Sequence, residues 1–146
     1  MNLSEFYRCF PDELTCSQIL RCIREEAGII CKKCGSIEHY WKNDKKSFEC
    51  KACNYRTSLK NGTIIENSNL PLKYWLTTIA YLNIIGEKIS ALKLQKELGH
   101  KRYEPIWSML KKIKNISEAD NFLYKITDYI QVDENGIKYI DNYNSQ

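Results

Sequence analysis

Two CxxC pairs, Cys31-Lys32-Lys33-Cys34 and Cys50-Lys51-Ala52-Cys53, stand fifteen residues apart and constrain this 146-residue chain more than any other feature. A CxxC turn presents two thiolates on one tight loop, and two such turns supply the four soft ligands of a tetrahedral Zn²⁺. The residues between them suit an antiparallel excursion: Ile37, His39 and Trp41 alternate with polar residues, Asn43-Asp44-Lys45-Lys46 makes a polar turn, and Ser47-Phe48-Glu49 leads back. Residues 29 to 68 are therefore expected to form a zinc ribbon, with Cys31, Cys34, Cys50 and Cys53 as ligands and structural zinc as the cofactor. Disulfides, a redox pair and unrelated buried thiols are the alternatives. A redox CxxC usually stands as a single pair at a strand-to-helix turn. Disulfides belong to oxidising compartments, and the first ten residues carry charge and no long apolar run, so no secretory leader is expected. Cys9, Cys16 and Cys22 show no paired spacing; Cys16 falls at helical intervals with Ile19, Leu20 and Ile23, as a small core residue does. His39 and His100 are isolated.

The net charge of +4 is unevenly distributed. Residues 1 to 26 carry three basic and five acidic side chains, residues 27 to 70 eight and four, residues 71 to 116 nine and three, and residues 117 to 146 two and six. Four thiolates around one Zn²⁺ leave two negative charges on the ribbon, so the positive surface is concentrated in residues 71 to 116. A polyanion responds to such a local patch rather than to the chain average. A solvated helical face has the same composition, so charge alone does not decide between the two. The richest apolar stretch, residues 70 to 85, is interrupted by Pro71, Lys73 and Asn83, and no membrane span is expected.

Helical patterning flanks the ribbon. Asp12 is an N-cap, followed by an apolar stripe of Leu14, Cys16, Ile19, Leu20 and Ile23, a wet side of Arg21, Arg24, Glu25 and Glu26, and a stop at Gly28. Residues 55 to 65 read as strand interrupted by the turn dipeptide Asn61-Gly62. Pro71 opens a helix with Leu72, Trp75, Leu76, Ile79, Ala80 and Leu82 on one face, ending near Gly86. A shorter helix runs from the cap Ser90 through Ala91, Leu94 and Leu98 to Gly99. A third covers residues 103 to 114 with Tyr103, Ile106, Trp107, Leu110 and Ile113 facing inward and Pro105 in its first turn. Three helices with short connections form a helix-turn-helix unit, residues 69 to 116. Its last helix is the one such a unit offers to the DNA major groove, and its outer face carries Ser108, Lys111, Lys112 and Lys114, with Lys101 and Arg102 just ahead. Lysines there suit phosphates, while Arg102 or Ser108 suit base edges. Trp75 and Trp107 read as core rather than as base-stacking platforms. In the tail, residues 122 to 132 are rich in β-branched and aromatic residues, Asn135-Gly136 is a hairpin turn, and residues 137 to 140 form the returning strand.

Taken in order, these residues resemble the zinc-ribbon insertion-sequence transposases of the DDE class, over nearly the whole chain. The resemblance rests on Phe10-Pro11-Asp12-Glu13, Cys31-x-x-Cys34-Gly35-Ser36, Cys50-x-x-Cys53, Ser58, Gly62-Thr63, Leu70-Pro71-Leu72, Trp75, Ile89-Ser90-Ala91, Leu94-Gln95, Leu98-Gly99, Trp107-Ser108-Met109-Leu110 and Val132-Asp133-Glu134. Lys32 departs from the proline that family usually has after the first knuckle cysteine. The resemblance implies a ribbon and helix-turn-helix that bind the ends of a mobile element as double-stranded DNA, ahead of a ribonuclease-H-like nuclease domain. Asp133 corresponds to its first catalytic carboxylate.

Two-metal phosphoryl transfer needs several converging acidic ligands, and 13 residues follow Asp133, with Asp141 too near to replace later partners. Mg²⁺ is therefore a cofactor only if a complete nuclease site were assembled. The expected fold is α+β: an N-terminal helical segment (1 to 28), the ribbon (29 to 68), the helix-turn-helix unit (69 to 116), and the truncated start of the nuclease domain as a β-hairpin (117 to 146). The expected function is zinc-dependent DNA binding, in the cytoplasm and at the nucleoid, without strand transfer by this chain alone. The alternatives are an adaptor that pairs with a full-length transposase or with itself, and a nuclease assembled in trans.

Overall fold

A computed structural model of the chain describes residues 2–10, 12–86, 88–116 and 118–140; Pro11 and Asp141, named above, lie outside the described residues. The architecture is mixed α+β. In chain order it comprises α1 (Leu3–Cys9), α2 (Glu13–Ala27), β1 (His39–Lys42), β2 (Ser47–Cys50), β3 (Arg56–Ser58), α3 (Leu72–Ile84), α4 (Ala91–Leu98), α5 (Tyr103–Lys114), a 3-10 segment (Glu118–Tyr129), β4 (Ile130–Asp133) and β5 (Gly136–Tyr139).

The N-terminal segment holds two helices where one was expected. Asn2 starts α1 by accepting the Glu5 N–H at 3.0 Å, and Leu3, Phe6 and Phe10 turn inward, Phe6 meeting the Tyr81 ring edge-on at 5.5 Å. In α2, Asp12 accepts the Thr15 N–H at 2.8 Å, and Cys16, Ile19, Leu20 and Ile23 are buried. Two side chains depart from the expected pattern. Leu14 is 60% exposed, because it sits about 200° round the helix from Cys16. Arg24, placed on the wet side, is only 8% exposed: it lies one turn beyond Leu20, on the buried side.

α3 is the central element, buried around most of its circumference and packed against α1, α2, α5 and the 3-10 segment. Pro71 takes the N-cap position rather than the first turn and offers no side-chain acceptor. Glu13 from the start of α2 supplies that acceptor, one carboxylate oxygen bonding the Leu72 N–H and the other the Lys73 N–H. A single acidic side chain thus joins two helix beginnings, placing negative charge at the positive end of α3. Ser90 caps α4 by accepting the Lys93 N–H at 3.2 Å, and Gly99, with φ +72°, ends it in the left-handed conformation that glycine adopts without strain. α4 packs on α5, whose inner face is Ile106, Met109, Leu110 and Ile113.

The tail differs most from expectation. Residues 118 to 129 are 3-10 rather than extended, and Leu123, Ile126 and Tyr129 are buried against α2 and α3. Their spacing of three is the period of a 3-10 helix, which puts all three on one side. The hairpin follows, with Ile130 opposite Tyr139 and Asp133 opposite Gly136. Its two-residue loop is therefore Glu134-Asn135, one residue earlier than predicted, and β5 lies against α1. Residues from α1 through the 3-10 segment and β4 join one hydrophobic core, so the expected N-terminal, helix-turn-helix and tail segments share an interior.

Candidate functional site

The ribbon is a three-stranded antiparallel sheet in the order β1-β2-β3, with His39 opposite Cys50, Trp41 opposite Phe48, and Phe48 opposite Thr57. β3 is shorter than the predicted strand; beyond Ser58 the chain runs through turns to Ile65, where Thr63 Oγ1 donates to the Lys60 carbonyl and accepts the Ile65 N–H. Two arginines of α2 hold the sheet to the helical body. The Arg21 guanidinium lies 4.8 Å from the Trp41 ring centroid. Arg24 donates to the Ser58 and Leu59 carbonyls at 3.0 and 2.8 Å and lies 5.7 Å from the Phe48 ring.

At one end of this sheet the two CxxC turns face each other with matching backbones. Gly35 donates to the Cys31 carbonyl at 2.9 Å, and Asn54 donates to the Cys50 carbonyl at 3.0 Å. Cys31 donates to the Ser36 carbonyl and Cys50 to the Tyr55 carbonyl, both at 2.9 Å. Gly35 and Asn54 occupy the same place after the second cysteine of each turn, and both have positive φ, +78° and +65°. Asparagine is among the few non-glycine residues that adopt this conformation readily.

The sulfurs converge accordingly. Cys31 Sγ lies 3.5 Å from Cys53 Sγ, Cys34 Sγ lies 3.5 Å from Cys50 Sγ, and all four fall within 4.8 Å of one another. Zn–S bonds of about 2.3 Å in a tetrahedron put sulfurs roughly 3.8 Å apart, so the quartet matches that coordination in number, type and spacing. It can hold a metal ion, and among the described residues it is the one cluster of three or more potential ligands.

Hydrogen bonding within the site sorts the thiols. Burial pushes Cys50 up, but the backbone N–H groups of Cys53 and Ala52, with the Cys34 and Cys53 sulfurs, outweigh it and bring Cys50 down to about 6. Cys31 is lowered in the same way, against burial, by the N–H groups of Cys34 and Lys33. The Ser36 N–H favours the Cys34 thiolate, yet the sulfurs of Cys50 and Cys53 hold that thiol up at about 12. The first cysteine of each turn, Cys31 and Cys50, is thus lowered, and the second, Cys34 and Cys53, is raised.

Of the predicted DNA-contacting residues, Ser108, Lys111, Lys112 and Lys114 lie on α5, and Lys101 and Arg102 just precede it. Lys101, Arg102, Lys111, Lys112 and Lys114 are exposed and Ser108 is half-buried. Five of the six fall on two edges. Arg102, Ser108 and Lys112 line a cavity of about 360 Å³ with His100 and the loop Asn67-Ser68-Asn69. Lys111 and Lys114 line a second, of about 530 Å³, with Tyr103 and Trp107. Those two aromatics were expected inside. They are 45% and 48% exposed, because the buried arc of α5 is filled by Ile106, Met109, Leu110 and Ile113.

Asp133 is exposed at the end of β4, where its carboxylate accepts the Asn135 N–H at 2.8 Å and shapes the hairpin loop. Among the described residues no two further ligand groups join it. Nor is any described helix long and apolar enough to cross a membrane. No protein-family model, curated protein or solved structure matches the chain.

Proposed function

We propose that this chain is a zinc-dependent DNA-binding protein of transposase descent, recognising the double-stranded ends of a mobile element through the outer face of α5. The observation that carries the reading is a four-sulfur site on a sheet pinned by Arg21 and Arg24 to the same helical body that displays Lys101, Arg102, Lys111, Lys112 and Lys114 to solvent. Zinc is the metal the donor set favours, because four thiolates at tetrahedral spacing are its usual structural environment. Its part is architectural. Ile29 and Phe48 are the large buried hydrophobic side chains that residues 29 to 58 contribute, worth about 1.5–3 kcal/mol each. Ordering a backbone costs roughly 1–2 kcal/mol per residue, so that apolar burial does not order the ribbon without the metal.

Binding, rather than cleavage, is the proposed activity. Strand transfer needs further carboxylates beside Asp133 to hold two divalent ions. The test is a mobility-shift series on short duplex DNA with the zinc-loaded protein and its Lys111→Gln, Lys112→Gln and Lys114→Gln variants. Affinity is expected to fall with each charge removed, and the slope of log affinity against log salt to flatten by roughly 0.9 for each phosphate no longer neutralised. Unchanged binding in the triple variant would remove α5 from the interface. Capture of a full-length transposase without any DNA affinity would favour the adaptor reading instead.

A further inference from the structure

The exposed aromatic edge of α5 is unused by a protein that reads only paired DNA. Tyr103 and Trp107 are four residues apart on one helix face, each nearly half exposed, beside the cavity they share with Ala91, Lys111, Lys114 and Asn115. The Lys111 ammonium lies 5.0 Å from the Trp107 ring centroid. Exposed rings on an edge that also carries Lys111 and Lys114 match the two chemistries of a nucleotide: a base that stacks and a phosphate that needs a counter-charge.

We propose that Tyr103 and Trp107 form a stacking platform for an unpaired DNA strand. Three observations favour that occupant. Bases in a duplex stack on one another and offer no free face along its length, whereas every unpaired base has one. Residues four apart on a helix are separated by about 6 Å along its axis, well beyond the roughly 3.4 Å between neighbouring nucleotides in a duplex strand, so the pair is spaced for a stretched strand. Lys111, whose ammonium lies over the Trp107 ring and would swing aside to a phosphate as a base takes that face, and Lys114 line the same cavity. The choice of DNA over RNA rests on the function proposed above, and the platform would let the same helix hold a locally opened end next to the duplex it binds.

The experiment measures the affinity of the zinc-loaded 146-residue chain for oligothymidine, oligouridine and a short duplex, for wild type, Trp107→Ala and Trp107→Phe. Wild type is expected to bind oligothymidine with quenching of tryptophan fluorescence. Trp107→Ala should weaken that binding roughly ten- to hundredfold, the effect of removing one base–aromatic stack, and should weaken duplex binding far less. Trp107→Phe should retain most of it. Oligothymidine binding that is equal in wild type and Trp107→Ala would overturn the proposal, as would wild type that binds duplex but not oligothymidine; the duplex-binding function would survive either result. Tighter binding of oligouridine than of oligothymidine would overturn the choice of DNA. Trp107-dependent binding of oligothymidine without duplex binding would uphold the platform and sink the duplex reading.

Discussion

Arg24 shows how one side chain can join two parts of the molecule. Its guanidinium is desolvated in the seam between α2 and the ribbon and donates to two carbonyls of the β3 end, so its charge is balanced by backbone dipoles. Arg24→Ala is expected to lower stability by about 1–3 kcal/mol in denaturant titration, since it unpairs two part-buried carbonyls and strips the Phe48 ring of its cation. Arg24→Lys should recover part of that, because an ammonium lacks the planar fork.

Asp120 lies on the other side of the balance. Burial raises its carboxyl above the usual aspartate value, the nearby Arg24 charge only partly opposing this, and its Oδ1 has no hydrogen-bond partner. A carboxyl that holds its proton more tightly in the folded state favours folding at low pH. Stability should therefore fall as pH rises from about 4, the ordinary aspartate value, through the raised one. Asp120→Asn is expected to raise the melting temperature at neutral pH and to make no difference well below pH 4; an equal effect at both would assign it to shape rather than to charge.

Among elements, the beginnings of α2 and α3 depend on the adjacent pair Asp12 and Glu13. Asp12 caps its own helix, whereas Glu13 reaches across to a helix that starts with proline and has no cap of its own. Glu13→Ala should destabilise the protein by roughly 1–2 kcal/mol, and Ser90→Ala by about 1 kcal/mol through loss of the α4 cap. Thermal melts would check both, and a neutral Glu13 variant would contradict the cross-helix role.

What could be read from sequence follows from range. The caps Asp12 and Ser90, the stops Gly28 and Gly99, and the CxxC turns act within a few residues, and each stands where its pattern put it. Glu13 as the cap of α3 and Arg24 as a buried clamp depend on partners dozens of residues away, which no local pattern announces. α1 and the 3-10 segment did leave signals, in the spacing of Leu3, Phe6 and Phe10 and in the triplet period of Leu123, Ile126 and Tyr129. Aromatic and β-branched composition near the latter favours a strand instead. Hydrophobicity alone sends Trp107 and Tyr103 to the core, although the arc between Ile106 and Ile113 is already full.

At the scale of the molecule, the helices bury a continuous core around α3, while the ribbon leans on them through two arginines and otherwise depends on its sulfurs. Chelation should therefore act unevenly. Hydrogen exchange of residues 29 to 58 is expected to accelerate on metal removal while α3 stays protected; uniform loss of protection would show that the ribbon and the helical body unfold as one.

Cys34→Ser should mimic the chelator, whereas Cys16→Ala, remote from the site, should leave metal content intact. The most direct measurement is native mass spectrometry of freshly purified, reduced protein. One zinc ion per chain, lost on acidification and absent from Cys34→Ser, is the predicted result. A mass equal to that of the bare polypeptide would contradict the account from the ribbon upward.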